Sequence, residues 1–145
     1  MMRLARLPAL MLAATLCSGT AALAQESAAT GHLTIEINEL APSEKGCKLT
    51  FVADNGLPQS LAKLSFEFVL FDAKGLVERM AVLDFRDVPA GKTKVRQFDL
   101  PGTKCGDVSS LLINDAPVCE GEGIAPGACM KALKTGSKST IVLKG

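Results

Sequence analysis

One short segment, residues 66–71, limits the possible folds more than any other part of the chain. Its first face carries Phe66, Phe68 and Leu70. Alternation with a period of two residues is the pattern of a β-strand that packs one face against a core. The opposite face carries Val69 and Phe71. The pattern therefore predicts a central strand that is covered on both sides.

A tight turn is predicted directly after this strand. Asp72 can accept hydrogen bonds from backbone amides two residues further on, and Gly75 can adopt the positive φ that closes such a turn. The next segment, residues 76–85, is again rich in strand-forming side chains. The strand, the turn and this segment together predict a β-hairpin.

Further strand-like segments fill most of the remaining chain. They are residues 33–38, 47–53, 92–100, 107–114 and 140–143. Turn signals such as Asp54-Asn55-Gly56 separate them, and only residues 128–133 favour a helical turn. About seven short strands with almost no helix predict an all-β fold, a single antiparallel immunoglobulin-like β-sandwich.

The first 24 residues predict a cleaved signal peptide. Arg3 and Arg6 supply a positive end, a short apolar run follows, and Ala22-Leu23-Ala24 is a typical cleavage sequence. The run is too short for a lasting membrane span, and no later segment reaches the roughly 20 apolar residues that one needs. We therefore expect a periplasmic protein, cleaved after Ala24, with no stable membrane span.

The mature chain is expected to contain a flexible lead-in, residues 25–31, and one β-sandwich domain, residues 32–145. The sequence has 16 basic and 15 acidic residues, and two of the basic residues lie in the leader. The mature chain is thus close to neutral, which gives no electrostatic reason to expect a nucleic-acid partner.

The cysteines predict covalent cross-links. Four of them follow the leader: Cys47, Cys105, Cys119 and Cys129. An even number in an exported domain predicts two disulfides, for which three connectivities are possible. Cys47 shares its parity with Leu49 and Phe51 and so occupies a core-facing position. We favour the pairs Cys47–Cys105 and Cys119–Cys129, with the other pairings still open.

Two resemblances add to this interpretation. The segment Phe68-Val69-Leu70-Phe71-Asp72, with the later turn Pro89-Ala90-Gly91, resembles the motif of the FxLYD family of exported bacterial domains. That resemblance implies an immunoglobulin-like sandwich. The mature chain also resembles an exported bacterial family usually labelled "Tat pathway signal protein". The residues that carry this second resemblance are the four cysteines, Asn55, Phe71-Asp72, Pro89 to Thr93, Phe98-Asp99 and Leu112 to Asp115. It implies no particular activity.

Three short motifs resemble functional elements of enzymes but lack the required context. Ser60-Leu-Ala-Lys63 and Lys134-Thr-Gly136 match fragments of the penicillin-recognising enzymes. That chemistry needs Ser and Lys one turn apart on a helix, whereas residues 60–63 lead into a predicted strand. Gly91-Lys92-Thr93 matches the end of a phosphate-binding loop, but no helix is predicted after it.

Metal binding has little support in the sequence. His32 is the only histidine, and neither Met80 nor Met130 stands at ligand spacing from it. The cysteines form no Cys-x-x-Cys pair, and an exported domain favours disulfides over thiolate ligands. We expect no cofactor.

Two charged segments are candidates for recognition. Lys92, Lys94 and Arg96 alternate along one predicted strand, and Glu120 and Glu122 lie in the loop between Cys119 and Cys129. Such surfaces suit an envelope protein or an anionic envelope polymer. We expect a non-catalytic periplasmic binding module. The alternatives are an assembly subunit of the cell envelope and an inhibitor or accessory of an envelope enzyme, with a metal carrier further behind.

Overall fold

The computed structural model describes residues 31–145. The predicted signal peptide and residues 25–30 of the predicted lead-in lie outside them. The described residues form eight β-strands and one short α-helix. The strands are β1 Leu33–Pro42, β2 Gly46–Asn55, β3 Leu61–Phe71, β4 Val77–Val88, β5 Thr93–Pro101, β6 Ser110–Glu120, β7 Leu133–Ser137 and β8 Val142–Lys144. The helix, α1, is Ala128–Ala132.

The strands form two four-stranded sheets that pack as a β-sandwich, which confirms the predicted fold class. The first sheet has the order β5-β2-β1-β7, and the second has the order β4-β3-β6-β8. Strands that are distant in the chain pair within each sheet, β2 with β5 and β3 with β6, as in Greek-key sandwiches. Two edge strands depart from a purely antiparallel arrangement, because β7 runs parallel to β1 and β8 parallel to β6.

Aromatic side chains fill the space between the sheets. Phe51 from the first sheet and three phenylalanines from the second are almost fully buried: Phe66, Phe68 and Phe85. Ring centroids in this cluster lie 5.0 to 6.4 Å apart, in tilted, edge-to-face and stacked pairs. Such rings bury large apolar areas. Tilted and edge-to-face pairs add a favourable attraction between the edge of one ring and the face of its neighbour. The alternating strand pattern thus identified the core correctly.

The prediction that residues 66–71 lie in a central strand is confirmed, but the prediction of cover on both sides is not. β3 lies between β4 and β6, and its inward face is buried. On its outward face Val69 is only 5% exposed. Met80 and Leu112 flank Val69 in register on the neighbouring strands, and no third layer of residues 31–145 covers it. The neighbours in the same sheet therefore replace the expected second layer.

The predicted turn after β3 is confirmed in detail. The Asp72 carboxylate accepts hydrogen bonds from the amides of Lys74 and Leu76 at 2.8 and 2.9 Å. Gly75 has a φ of 79° and donates its amide to the Asp72 carbonyl. An acceptor at the first position and a glycine at the left-handed position fix the hairpin, as the residue types predicted.

The C-terminal part of the domain differs from the prediction in two places. β6 continues beyond the predicted residue 114 to Glu120, where it pairs with the first part of β3. The short helix is confirmed, but β7 follows it at once and was not predicted. β7 reads Leu-Lys-Thr-Gly-Ser and has no apolar alternation. It forms a strand because the free edge of β1 offers hydrogen-bond partners for its backbone. The local sequence pattern cannot predict this pairing.

Both favoured disulfides are present. Cys47 on β2 bonds to Cys105, which follows β5, across a sequence separation of 58 residues. Cys119 near the end of β6 bonds to Cys129 in α1, across 10 residues. The first links the start of a core strand to a distant loop, and the second closes the loop between β6 and the helix. None of the helices in residues 31–145 is long and apolar enough to cross a membrane.

Candidate interaction surface

Two of the three cations on the predicted cationic strand form contacts within the domain. Lys92 lies exposed in the turn before β5, whereas Lys94 and Arg96 are half-buried. These two alternate with Phe98 and Leu100, so they lie on the face of β5 that is directed toward the second sheet. A surface of three exposed cations on one strand is therefore not present.

Arg96 connects the edge strands of the two sheets. Its Nε donates to the Phe85 carbonyl at 2.7 Å, and its second terminal nitrogen donates to the Asp87 carbonyl at 3.0 Å. The Asp87 carboxylate lies 3.6 Å from Arg96 and 4.0 Å from Lys94. Charge-assisted hydrogen bonds of this kind are stronger than neutral ones. These contacts explain why the two cations are withdrawn from solvent.

The acidic loop is likewise held against the domain. Glu120 lies 3.4 Å from the Lys63 ammonium, and both side chains are well exposed. Gly121 lies so close to the Ser60 carbonyl that a Cβ atom there would overlap it, and Ile124 packs against the core. Glu122 is exposed and forms no ion pair within residues 31–145. Of the two predicted loop acids, Glu122 is therefore the more available to a partner.

The residues of the catalytic-looking motifs have other roles. The Ser60 hydroxyl accepts a hydrogen bond from the Ala90 amide at 3.0 Å, and Lys63 pairs with Glu120. Residues 134–136 belong to β7. Residues 91–92 lie in the turn before β5, which Thr93 begins. Ser60 and Lys63 therefore lie on and directly before a strand, not one turn apart on a helix as that chemistry requires.

The predicted metal candidates lie on three different parts of the fold. His32 is exposed just before β1, Met80 is exposed on β4, and Met130 packs against the core from α1. Within residues 31–145 no three residues among His, Cys, Asp and Glu cluster in a way that could hold a metal ion.

The outward side of the second sheet carries an apolar surface that the sequence analysis did not single out. Two rows of in-register residues cross the four strands. One row is Val77, Phe71, Ser110 and Val142, and the other is Met80, Val69, Leu112 and Lys144. Val82 follows on β4. We call the apolar members of these rows, together with Val82, the apolar outer face.

The exposure of this face is concentrated at its two edges. Four of its side chains are more than half exposed: Val77 at 58%, Met80 at 52%, Val82 at 59% and Val142 at 57%. The first three lie on β4 and the last on β8, whereas Val69 and Leu112 fill the middle. The three on β4 lie near one another on one edge strand and are therefore a candidate interaction surface.

The outward side of the first sheet provides a contrast within the same molecule. Its rows are mainly polar, and their side chains bond to each other. The Thr93 hydroxyl donates to Asp54 at 2.7 Å, and the Gln97 amide donates to Thr50 at 3.2 Å. Val95, 58% exposed, is the one exposed large apolar side chain there. The two outer faces therefore differ in chemistry, although both belong to four-stranded sheets.

Comparison of the chain with protein-family models, curated proteins and solved structures finds no match. The candidate surface therefore depends on the geometry alone. A signal for it was present in the sequence, because Val69 and Phe71 put apolar groups on the second face of β3. These two residues were interpreted as a second buried face, which another layer of the same domain would cover.

Proposed function

We propose that this protein is a non-catalytic binding module of the periplasm, and that it binds its partner through the apolar outer face. The observation that carries the proposal is that four exposed large apolar side chains lie on the outward side of the second sheet, whereas one, Val95, lies on that of the first. Burial of such side chains against a partner yields roughly 25 cal/mol for each Å² removed from water. The partner is therefore a protein with an apolar surface of its own.

This choice of surface is favoured over the charged candidates. Lys94 and Arg96 already bind Asp87, and Glu120 already pairs with Lys63. Recruiting these groups to a charged partner would break the ion pairs that they already form. The side chains of the apolar outer face cannot form ion pairs, so a partner can cover them without breaking such contacts.

The proposed compartment follows from the leader and the disulfides. Two disulfides in a small domain are typical of proteins that mature in an oxidising environment. Intact-mass measurement of the protein recovered from the periplasm of its own host tests this directly. We expect a chain that begins at Gln25 and lacks four hydrogens. A full-length, fully reduced cytoplasmic chain would contradict it.

Site-specific photo-cross-linking tests the surface itself. A photoreactive amino acid is placed either at Met80 on the apolar outer face or at Gln97, which is exposed on the first sheet. We expect light-dependent adducts from position 80 in the cell envelope and none from position 97. Introducing Val82→Glu beside the probe should remove the adducts, because the partner would have to bury a charge. Equal adducts from both positions, or none from position 80, would reject this surface.

A further inference from the structure

We infer that the partner contributes a short extended peptide segment, which adds to the free edge of β4 as a further strand of the second sheet. The inference rests on the proposed function, because it names how the partner of that same surface binds. Recognition of this kind takes its affinity from backbone hydrogen bonds and its specificity from alternate side chains.

β4 is the least protected sheet edge in residues 31–145. β7 and β8 are edge strands too, but they have only five and three residues. β5 directs Lys94 and Arg96 inward and ends at Pro101, and such features discourage an added strand. β4 has 12 residues without Lys or Pro, and residues 80–83 read Met-Ala-Val-Leu. This edge is therefore the most open to another strand.

The direction of the backbone bonds on β3 identifies the free groups of β4. The Phe71 carbonyl accepts from Ser109, next to β6, and the Asp72 amide donates to the Leu76 carbonyl, next to β4. Because this direction alternates along a strand, residues 66, 68 and 70 bond toward β4, where they pair with residues 83, 81 and 79. The backbone groups directed to the free edge are therefore those of Met80, Val82 and Asp84.

Two arginine side chains set the length of the open edge. At one end Arg96 donates to the carbonyls of Phe85 and Asp87 and occupies the edge there. At the other end Arg79 donates to the Pro101 carbonyl and so crosses to β5. Residues 80–84 lie between these contacts and span roughly 17 Å in an extended strand. The open edge therefore accepts a segment of about five residues.

A groove beside this edge provides room for side chains of the added strand. It lies between β4 and β5, has a volume of about 540 Å³ and is lined by residues 82–84, 86 and 95–98. Ligand-binding pockets have similar volumes, roughly 300 to 1,000 Å³. Leu83 and Phe98 are among its apolar residues. Successive side chains of a strand point to opposite faces, so every second side chain of the segment would be directed to the groove.

The remaining side chains of the segment would lie on the outward side of the sheet. There they would be next to Met80 and Val82, which are 52% and 59% exposed. Side chains directly opposite each other on paired strands interact, so we expect apolar residues at these positions of the segment. β4 of a second copy fits less well, because antiparallel pairing about Val82 would place Met80 opposite Asp84 of the partner subunit.

Hydrogen exchange of the uncomplexed, disulfide-bonded chain 25–145 tests whether the edge is free. We expect the amides of Met80, Val82 and Asp84 to exchange at least about tenfold faster than those of Ala81 and Leu83, which bond to β3. Equal rates for the five amides would overturn the inference.

Photo-cross-linking in the cell envelope distinguishes addition at the edge from cover of the whole face. The probe is placed at Met80, at Asp84 or at Val142, which lies on β8 three strand spacings, or roughly 14 Å, from β4. We expect adducts with another protein from positions 80 and 84, and at least about tenfold fewer from position 142. Adducts from position 142 that equal or exceed those from position 84 would overturn strand addition.

The same experiment separates this inference from the proposed function. If position 80 gives adducts but position 84 gives no more than position 142, only strand addition fails. If position 80 gives none, the proposed function fails as well. Adducts between two copies of the chain would overturn the assignment of the segment to another protein.

Two substitutions at Val82 test the backbone bonds. Val82→Pro removes an amide that is directed to the free edge and leaves the bonds to β3 in place. Val82→Thr keeps that amide and the shape of the side chain. We expect Val82→Pro to reduce the adducts from position 80 more than about tenfold and Val82→Thr less than about threefold. Circular dichroism shows whether each variant is folded. A folded Val82→Pro variant with wild-type adducts would overturn strand addition; if that variant does not fold, positions 84 and 142 decide.

Discussion

The guanidinium of Arg96 lies across one open side of the sandwich and donates from Nε to the Phe85 carbonyl at 2.7 Å. This contact joins β5, an edge strand of the first sheet, to β4, an edge strand of the second. A second bridge lies further along the same side, where Arg79 donates to the Pro101 carbonyl at 2.7 Å. β4 and β5 belong to different sheets and do not pair as strands. The two arginines therefore connect the sheets at this edge.

Replacement of Arg96 by alanine should lower the free energy of unfolding by about 2 kcal/mol. The change removes two charge-assisted bonds to carbonyl oxygens and leaves Asp87 without its nearer cation. Arg96→Lys should recover less than half of the loss, because one ammonium cannot reproduce the planar fork. Urea unfolding gives the comparison. Arg86→Ala is the control, since that exposed side chain forms no ion pair within residues 31–145; an equal loss there would reject the bridging role.

Asn55 is predicted to be the most sensitive buried polar residue. Its amide nitrogen donates to the carbonyls of Val88 and Gln59 at 2.8 and 3.0 Å, and its oxygen accepts from the Leu57 amide at 3.0 Å. Asn55→Ala should cost about 3 kcal/mol, because several backbone groups lose their partner in a fully buried position. Asn55→Asp should be worse, since a carboxylate would face two carbonyl oxygens.

Thermal or chemical unfolding of these variants tests the role of Asn55. The exposed Asn38 supplies the matched control, and Asn38→Ala should change stability by less than about 0.5 kcal/mol. Similar stabilities for the variants at positions 38 and 55 would show that the three bonds to Asn55 contribute little.

The two disulfides should differ in their contribution. On the chain-entropy model, a bridge across 58 residues stabilises by about 4 kcal/mol and one across 10 residues by about 3 kcal/mol. We expect the pair replacement Cys47→Ala with Cys105→Ala to lower stability more than Cys119→Ala with Cys129→Ala. Guanidinium unfolding of the two double variants makes the comparison. A reductant should lower the Tm of the wild-type protein, and an unchanged Tm would mean that the bridges are not formed in solution.

The sequence predicts the elements whose signal is local and leaves out those fixed by distant partners. Phe66, Phe68 and Leu70 face the core because alternation alone selects an inward face. β7 was missed because only its pairing with β1 makes it a strand. Arg96 looked like a surface cation, and its orientation depends on where β4 passes, which the sequence does not encode locally.

The same reasoning explains the result for the candidate surface. Parity along β3 correctly separated two apolar faces, but it cannot state what lies against each of them. Val69 is shielded by Met80 and Leu112, which are 11 and 43 positions away in the chain and adjacent only after the sheet has formed. An apolar sheet face that is exposed and one that is buried under another layer have the same sequence pattern. Only the fold, which shows whether another layer covers the face, distinguishes them.

Gly121 provides a last test, of how firmly the disulfide-tied loop is held. A Cβ atom at this position would overlap the Ser60 carbonyl, whereas at Gly106 it would meet no atom within 4 Å. We therefore expect Gly121→Ala to lower the free energy of unfolding by about 2 kcal/mol and to loosen the Lys63–Glu120 contact, while Gly106→Ala has little effect. Hydrogen exchange of the amides between Cys119 and Cys129 should rise only in the first variant. Equal exchange in both would mean that the loop does not depend on its packing against Ser60, and that the disulfide alone orders it.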